Sequence, residues 1–202
     1  EDFSVCPSGK LDDKWDQKMF SEGLWNLFPL QTNDPSCTET YCNYKKICGL
    51  MTNSTHGAYE AVVELFNNAK NANGMDCYDV SYNESMKALS DVKSQDRSWL
   101  WQTCTEFGFY QTCNPGTSCP FTSDPFVSSL DSFTDMCSQL FNIDPESVVN
   151  TAKVTNDHYG GWDYGGTRVV FANGGADPWS ASTVPATNPE LDLVVLWVAG
   201  AS

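Results

Sequence analysis

The stretch Thr167-Arg168-Val169-Val170-Phe171-Ala172-Asn173-Gly174-Gly175-Ala176-Asp177-Pro178-Trp179 decides the fold class. Its first six residues read as a buried strand. Asn173-Gly174-Gly175 ends it with a strong turn signal. An apolar run, Leu191 to Val198, reads as another strand. Pro178 to Glu190 is long enough for the crossover that two parallel strands require. The end of the chain, from about Thr151, therefore has the pattern of the edge of an α/β sheet. Two strands do not make a stable sheet alone. The remaining strands are expected in a part of the protein outside this sequence.

On the N-terminal side of that stretch the pattern changes. Asn156 to Gly166 holds four glycines and no apolar period, and reads as a loop. The residues before about 150 read as helices with loops pinned by cysteines. Tyr59, Val62, Val63 and Phe66 fall on one helical face. Thr55 is placed to cap that helix, and Asn73-Gly74 to stop it. Met86, Leu89 and Val92 mark a shorter helix. Ser123-Asp124-Pro125 predicts a helix start, with Phe126, Leu130, Phe133, Cys137 and Leu140 following at helical spacing to Phe141. Asp144-Pro145-Glu146 predicts another start, with Val148, Val149 and Ala152 on one side. Trp15, Met19, Leu24 and Leu27 outline one more, weakened by Gly23.

Composition limits the partners. The chain of 202 residues is 41% hydrophobic, 13% aromatic and 18% charged, with seven tryptophans, which suits a packed core rather than a disordered segment. Eleven Lys+Arg against 26 Asp+Glu give a net charge of −15. That balance argues against nucleic acid and against anionic membranes, which need clustered cations. No apolar run approaches the ~20 residues of a spanning helix; the longest is Leu193 to Ala201. No signal sequence opens the chain, so Glu1 reads as a mature or internal start. Nine cysteines fit an oxidising compartment better than the cytosol. Their spacings, Cys37-x4-Cys42-x5-Cys48 and Cys104-x8-Cys113-x5-Cys119, contain no C-x2-C pair, which favours disulfides over zinc. Nine is odd, so one cysteine at least is free or bonded outside the chain. Two sequons, at Asn53 and Asn83, are candidate glycosylation sites and fit a secretory or lysosomal route.

Functional groups of open α/β sheets gather at the carboxyl ends of strands. Asp177 lies there, just past the first strand's turn. In α/β hydrolases the catalytic residues run in the order Ser, Asp, His, the last two on loops after late strands. Asp177 suits the acid position, although a turn aspartate after two glycines also explains it. The histidine would follow Ser202 directly. No serine sits in G-x-S-x-G, and both histidines precede Asp177. His56 reads as a loop residue and His158 as structural. No cysteine has a neighbouring base, and no phosphate loop or dinucleotide fingerprint occurs.

Two runs carry a family resemblance: Arg97-Ser98-Trp99-Leu100-Trp101-Gln102-Thr103-Cys104-Thr105-Glu106-Phe107-Gly108-Phe109-Tyr110-Gln111-Thr112, and Val169 through Ser180. Together they resemble the serine peptidase family of lysosomal Pro-Xaa carboxypeptidase, dipeptidyl peptidase II and thymus-specific serine protease, nearest the thymus-specific branch. The resemblance covers roughly residues 37 to 202.

It implies an α/β hydrolase with a large, mainly helical, disulfide-stabilised cap. Residues 1–150 would be most of the cap and 151–202 the C-terminal portion of the hydrolase. Asp177 would be the triad acid, with Ser and His supplied by the remainder of the protein. Trp179 resembles a residue lining the family's proline pocket, with core packing as the other reading. Phe109 would face the same pocket or the core. Glu106 would meet a substrate amino terminus or pair with Arg97 or Arg168. Cys104 and Cys137 resemble a family disulfide. The activity implied is cleavage of peptides after proline or a similar small residue by a serine exopeptidase, with no cofactor and no metal. A homodimer is among the assemblies it allows. A secreted binding or structural protein that keeps the fold without catalysis is the other functional reading.

Overall fold

The computed structural model describes residues 2–28, 33–38, 41–53, 55, 57–113, 116–119 and 124–202. Ser54, His56 and Ser123 lie outside the described residues. Helices fill the first part of the chain: α1 (Lys14–Trp25), α2 (Tyr44–Met51), α3 (Ala58–Ala72), α4 (Tyr82–Leu89), α5 (Gln95–Gln102), α6 (Leu130–Phe141) and α7 (Pro145–Tyr159). Strands β1 (Val169–Gly174) and β2 (Leu193–Val198) follow. No helix among the described residues is long and apolar enough to cross a membrane.

Most helix starts follow from a side chain that satisfies an orphan backbone N–H. Asn43 caps α2, Ser81 α4, Ser94 α5 and Ser129 α6. Pro145 opens α7, where its missing N–H costs nothing. Asn142 ends α6 in the left-handed conformation.

Several expectations are corrected. The start predicted at Ser123-Asp124-Pro125 gives one turn only, in which Asp124 Oδ1 accepts from the N–H groups of Phe126 and Val127. The helix does not continue because the Ser128 carbonyl accepts from Cys113 N instead of from Ser132. Ser132 N turns to Ser129 Oγ, and α6 begins there. Thr55 does not cap α3: its N and Oγ1 both donate to Asn53 Oδ1, and Gly57 is the cap without a side-chain bond. α7 runs on to Tyr159, into the segment read as loop. α2 and α5 are helices that the apolar spacing did not single out.

The chain divides into two compact units. One comprises residues 1–5, 23–78 and 160–202, the other residues 6–22 and 79–159. In the second unit, the buried Cys104–Cys137 disulfide and Val148 form a core faced by Leu100, Tyr110, Phe141 and Ile143. Stacked aromatic pairs, Trp15 on Tyr82 and Tyr110 on Phe133, extend it. In the first unit, Phe66 meets Phe3 and Tyr78 edge-on above buried Leu65 and Ile47. Gly23 lets Tyr78 pack close, since a Cβ would lie 2.4 Å from Tyr78 Oη and the ring would have to shift.

Also in the first unit, β1 and β2 pair in parallel with Val169 opposite Leu193 and Gly174 opposite Val198. The crossover contains two short 3₁₀ turns, Pro178–Ser182 and Pro189–Leu191. Each is opened by a side-chain cap, Asp177 or Asn188, followed by proline. The strand read as buried is instead open on one face in this chain: Val170 is 60% exposed. Among the described residues, a sheet of two strands has no neighbouring strands or layer to cover that face.

Candidate active site

Asp177 sits on a turn stitched to the far end of β2. Gly175 N donates to Val198 O at 2.9 Å and Ala176 N to Ala201 O at 2.8 Å. Gly174 permits this approach, because a Cβ there would lie 2.5 Å from Ala201 O and 3.2 Å from Asp177 Cβ. The Asp177 carboxylate is partly buried and caps the following 3₁₀ turn, its Oδ1 accepting from Trp179 N at 2.8 Å. Among the described residues, Oδ2 has no hydrogen-bond partner. The acid is thus held through one oxygen and free to accept at the other, an arrangement that can orient an imidazole. Trp179, two residues on, is half-buried beside it.

Glu106 and Phe109 belong to the other unit. After α5 the helix widens into a π-helical turn, Thr103–Phe107, closed by a bond from Gly108 N to Thr103 O. Gly108 (φ 71°) and Phe109 (φ 64°) then both adopt positive φ. For a bulky residue such as Phe109 this is strained and needs support from its surroundings. The disulfide anchors Cys104, and Thr155 Oγ1 on α7 donates to Glu106 O at 2.6 Å. The turn shows Phe109 half-exposed at an apolar cleft of about 250 Å³, lined by Phe107, Gly108, Tyr110, Leu130, Val149 and Ala152.

The Glu106 carboxylate is exposed and makes no ion pair among the described residues. Arg97, one of its expected partners, is engaged elsewhere: Nη1 donates to Leu89 O and the guanidinium lies over the Phe141 ring. Asn53 and Asn83 are both exposed, the latter in the first turn of α4. The disulfides include Cys37–Cys42, Cys104–Cys137 and Cys113–Cys119. Cys6 and Cys77 are also disulfide-bonded, and Cys48 is a free, exposed thiol. These bonds displace the zinc reading. No group of three or more metal-ligating side chains occurs among the described residues. The strained turn at Gly108-Phe109 escapes sequence reading, because its supports lie 33 and 49 residues away in the chain.

The family model described as serine carboxypeptidase S28 matches residues 1–202. The chain belongs to this family. Among curated relatives, this S28 chain is 36% identical to the thymus-specific serine protease of Mus musculus over 194 residues, which are 91% of the chain and 37% of the relative. It is 36% identical to the Homo sapiens thymus-specific serine protease over 151 residues, 69% of the chain and 28% of the relative. It is 33% identical to a probable extracellular serine carboxypeptidase of Arthroderma benhamiae over 110 residues, 53% and 14% of the two chains. The S28 chain thus spans little more than a third of the mouse relative's length. No solved structure gives a significant match.

Proposed function

We propose that the chain is part of a secreted or lysosomal serine exopeptidase that cleaves peptides after proline or a similar small residue. Asp177 is the triad acid of this reading. The nucleophilic serine comes from the remainder of the protein, as does a histidine just beyond Ser202. One observation carries the assignment: the Asp177 turn is bonded to the segment after β2, with Oδ1 fixed and Oδ2 without a partner among the described residues. In the mechanism, the serine attacks the peptide carbonyl and the histidine takes its proton. Asp177 holds the imidazole tautomer and stabilises the imidazolium as it forms.

Trp179, Phe109 and Glu106 are the proposed substrate contacts. An indole face suits a pyrrolidine ring. The apolar cleft at Phe109 suits an uncharged side chain, and Glu106, which has no ion pair among the described residues, suits an amino group. Residues 1–150 are proposed as the cap of an α/β hydrolase and 151–202 as its C-terminal part. Asn53 and Asn83 are proposed glycan sites, and a homodimer stays within this reading. Membership of a peptidase family gives the non-catalytic alternative no support.

The test is Asp177→Asn in the full-length protein, assayed on proline-containing peptides. Folding is expected to survive while turnover falls by about 10⁴-fold, as for a lost tautomer anchor. Turnover near normal would return Asp177 to a turn-forming role. Limited proteolysis tests the domain division: a dominant cut near residue 150 supports it, and cuts confined near 22, 78 and 159 count against it.

A further inference from the structure

The Cys37–Cys42 bridge lies at the start of α2, with a sequence separation of 5. Both cysteines are partly exposed. Each sulfur has a polar side chain beside it. Lys46 Nζ is 3.6 Å from Cys42 Sγ, and Asn43 Nδ2 is 3.1 Å from Cys37 Sγ. Asn43 is firmly held at this position. It is 4% exposed, its Oδ1 caps α2 through Lys46 N, and its Nδ2 also donates to Asp34 O. Asp34 Oδ1 is engaged in its own turn, accepting from Ser36 N and Oγ. The other two bridges with known pairing differ. Cys104 and Cys137 are fully buried, with only the Tyr110 hydroxyl near a sulfur among the described residues. Cys113–Cys119 has a similar separation of 6, but no ammonium beside either sulfur among the described residues.

A disulfide opens when a thiolate attacks one sulfur and the other leaves as a thiolate, faster the more stable the leaving thiolate is. A neighbouring ammonium stabilises that thiolate. We propose that Cys37–Cys42 is the labile bridge among these three, a reversible modification site opened by small-molecule thiols. The incoming thiolate attacks Cys37 Sγ and forms a mixed disulfide. The S–S bond breaks, and its electron pair leaves on Cys42 Sγ beside Lys46. A second small thiolate then attacks the small-molecule sulfur of the mixed disulfide. It releases the Cys37 thiolate, which takes a proton from solvent. The net change is two-electron reduction of the bridge and oxidation of two small thiols to their disulfide.

The test exposes the folded full-length protein to graded reduced glutathione, quenches with iodoacetamide and maps the alkylated peptides. Without thiol, Cys48 alone of these cysteines is alkylated. Cys37 and Cys42 are expected to follow at about tenfold lower thiol than Cys113 and Cys119, the difference a stabilised leaving thiolate brings. Lys46→Met is expected to shrink that gap, and Lys46→Arg to restore it. Equal thiol requirements for the two short bridges in the wild-type protein would overturn the proposal, as would a gap unchanged by Lys46→Met. The wild-type comparison needs no variant to fold.

Discussion

Lys18 is the residue that most departs from ordinary burial. Its side chain is 0% exposed, its Nζ is 2.5 Å from Glu22 Oε1 and it lies over the Phe133 ring. Burial pulls its pKa below the usual lysine value, and Glu22 offsets that only in part. A buried ion pair is often replaceable by an apolar residue, whereas removing one partner strands a charge. Lys18→Met is therefore expected to be neutral or to stabilise by about 1–2 kcal/mol, while Glu22→Ala costs roughly 3 kcal/mol, in urea unfolding. The pH dependence follows from the same shift. Between the lowered folded pKa and about 10.4, the unfolded chain holds a proton that the folded chain lacks, so stability contributed at Lys18 rises with pH. The wild type should gain on Lys18→Met across that alkaline window, which unfolding at stepped pH reads directly. The strand and turn that carry Asp177 were legible in the sequence because an apolar run, a glycine pair and a proline are local signals. Phe109's strained φ was not, since distant groups impose it.

At the scale of elements, caps decided what periodicity could not. The apolar spacing from Phe126 to Leu140 is continuous, yet α6 starts only at Leu130 because Ser128's carbonyl is taken by Cys113. A competing long-range hydrogen bond leaves no trace in a local pattern. The parallel pair β1–β2 was legible because its crossover is too long for a hairpin and both strands are apolar. Two caps allow a graded test. Ser129→Ala should cost about 1 kcal/mol, the usual loss of an N-cap. Asn43→Ala should cost more, about 2 kcal/mol, because its buried amide also serves Asp34 and Cys37, and their groups would lose partners. Urea midpoints of the two variants rank them.

For the whole molecule, covalent links and chain path matter most. Cysteine spacing foretold disulfides as a class, but no spacing rule names partners, because pairing is set by the folded positions of distant helices. The Cys104–Cys137 bridge closes a separation of 33 against 6 for Cys113–Cys119, and longer closed loops constrain the unfolded chain more. Replacing Cys104 and Cys137 with alanine should cost about 3–4 kcal/mol, and more than the same change at the short bridge. Thermal unfolding of both double variants checks the order.

The first unit gathers residues 1–5, 23–78 and 160–202, and Asn33 N reaches Ser202 Oγ across 169 positions. Such distant closure consumes chain entropy before any contact offsets it, and contacts of high separation fold slowly. On a ribosome, α2 and α3 therefore emerge long before β1 and β2 exist to complete their unit. Until residue 202 emerges, the closure from Asn33 N to Ser202 Oγ is missing and the unit is incomplete. It is the interval in which a folding helper has most to do and a protease most to gain.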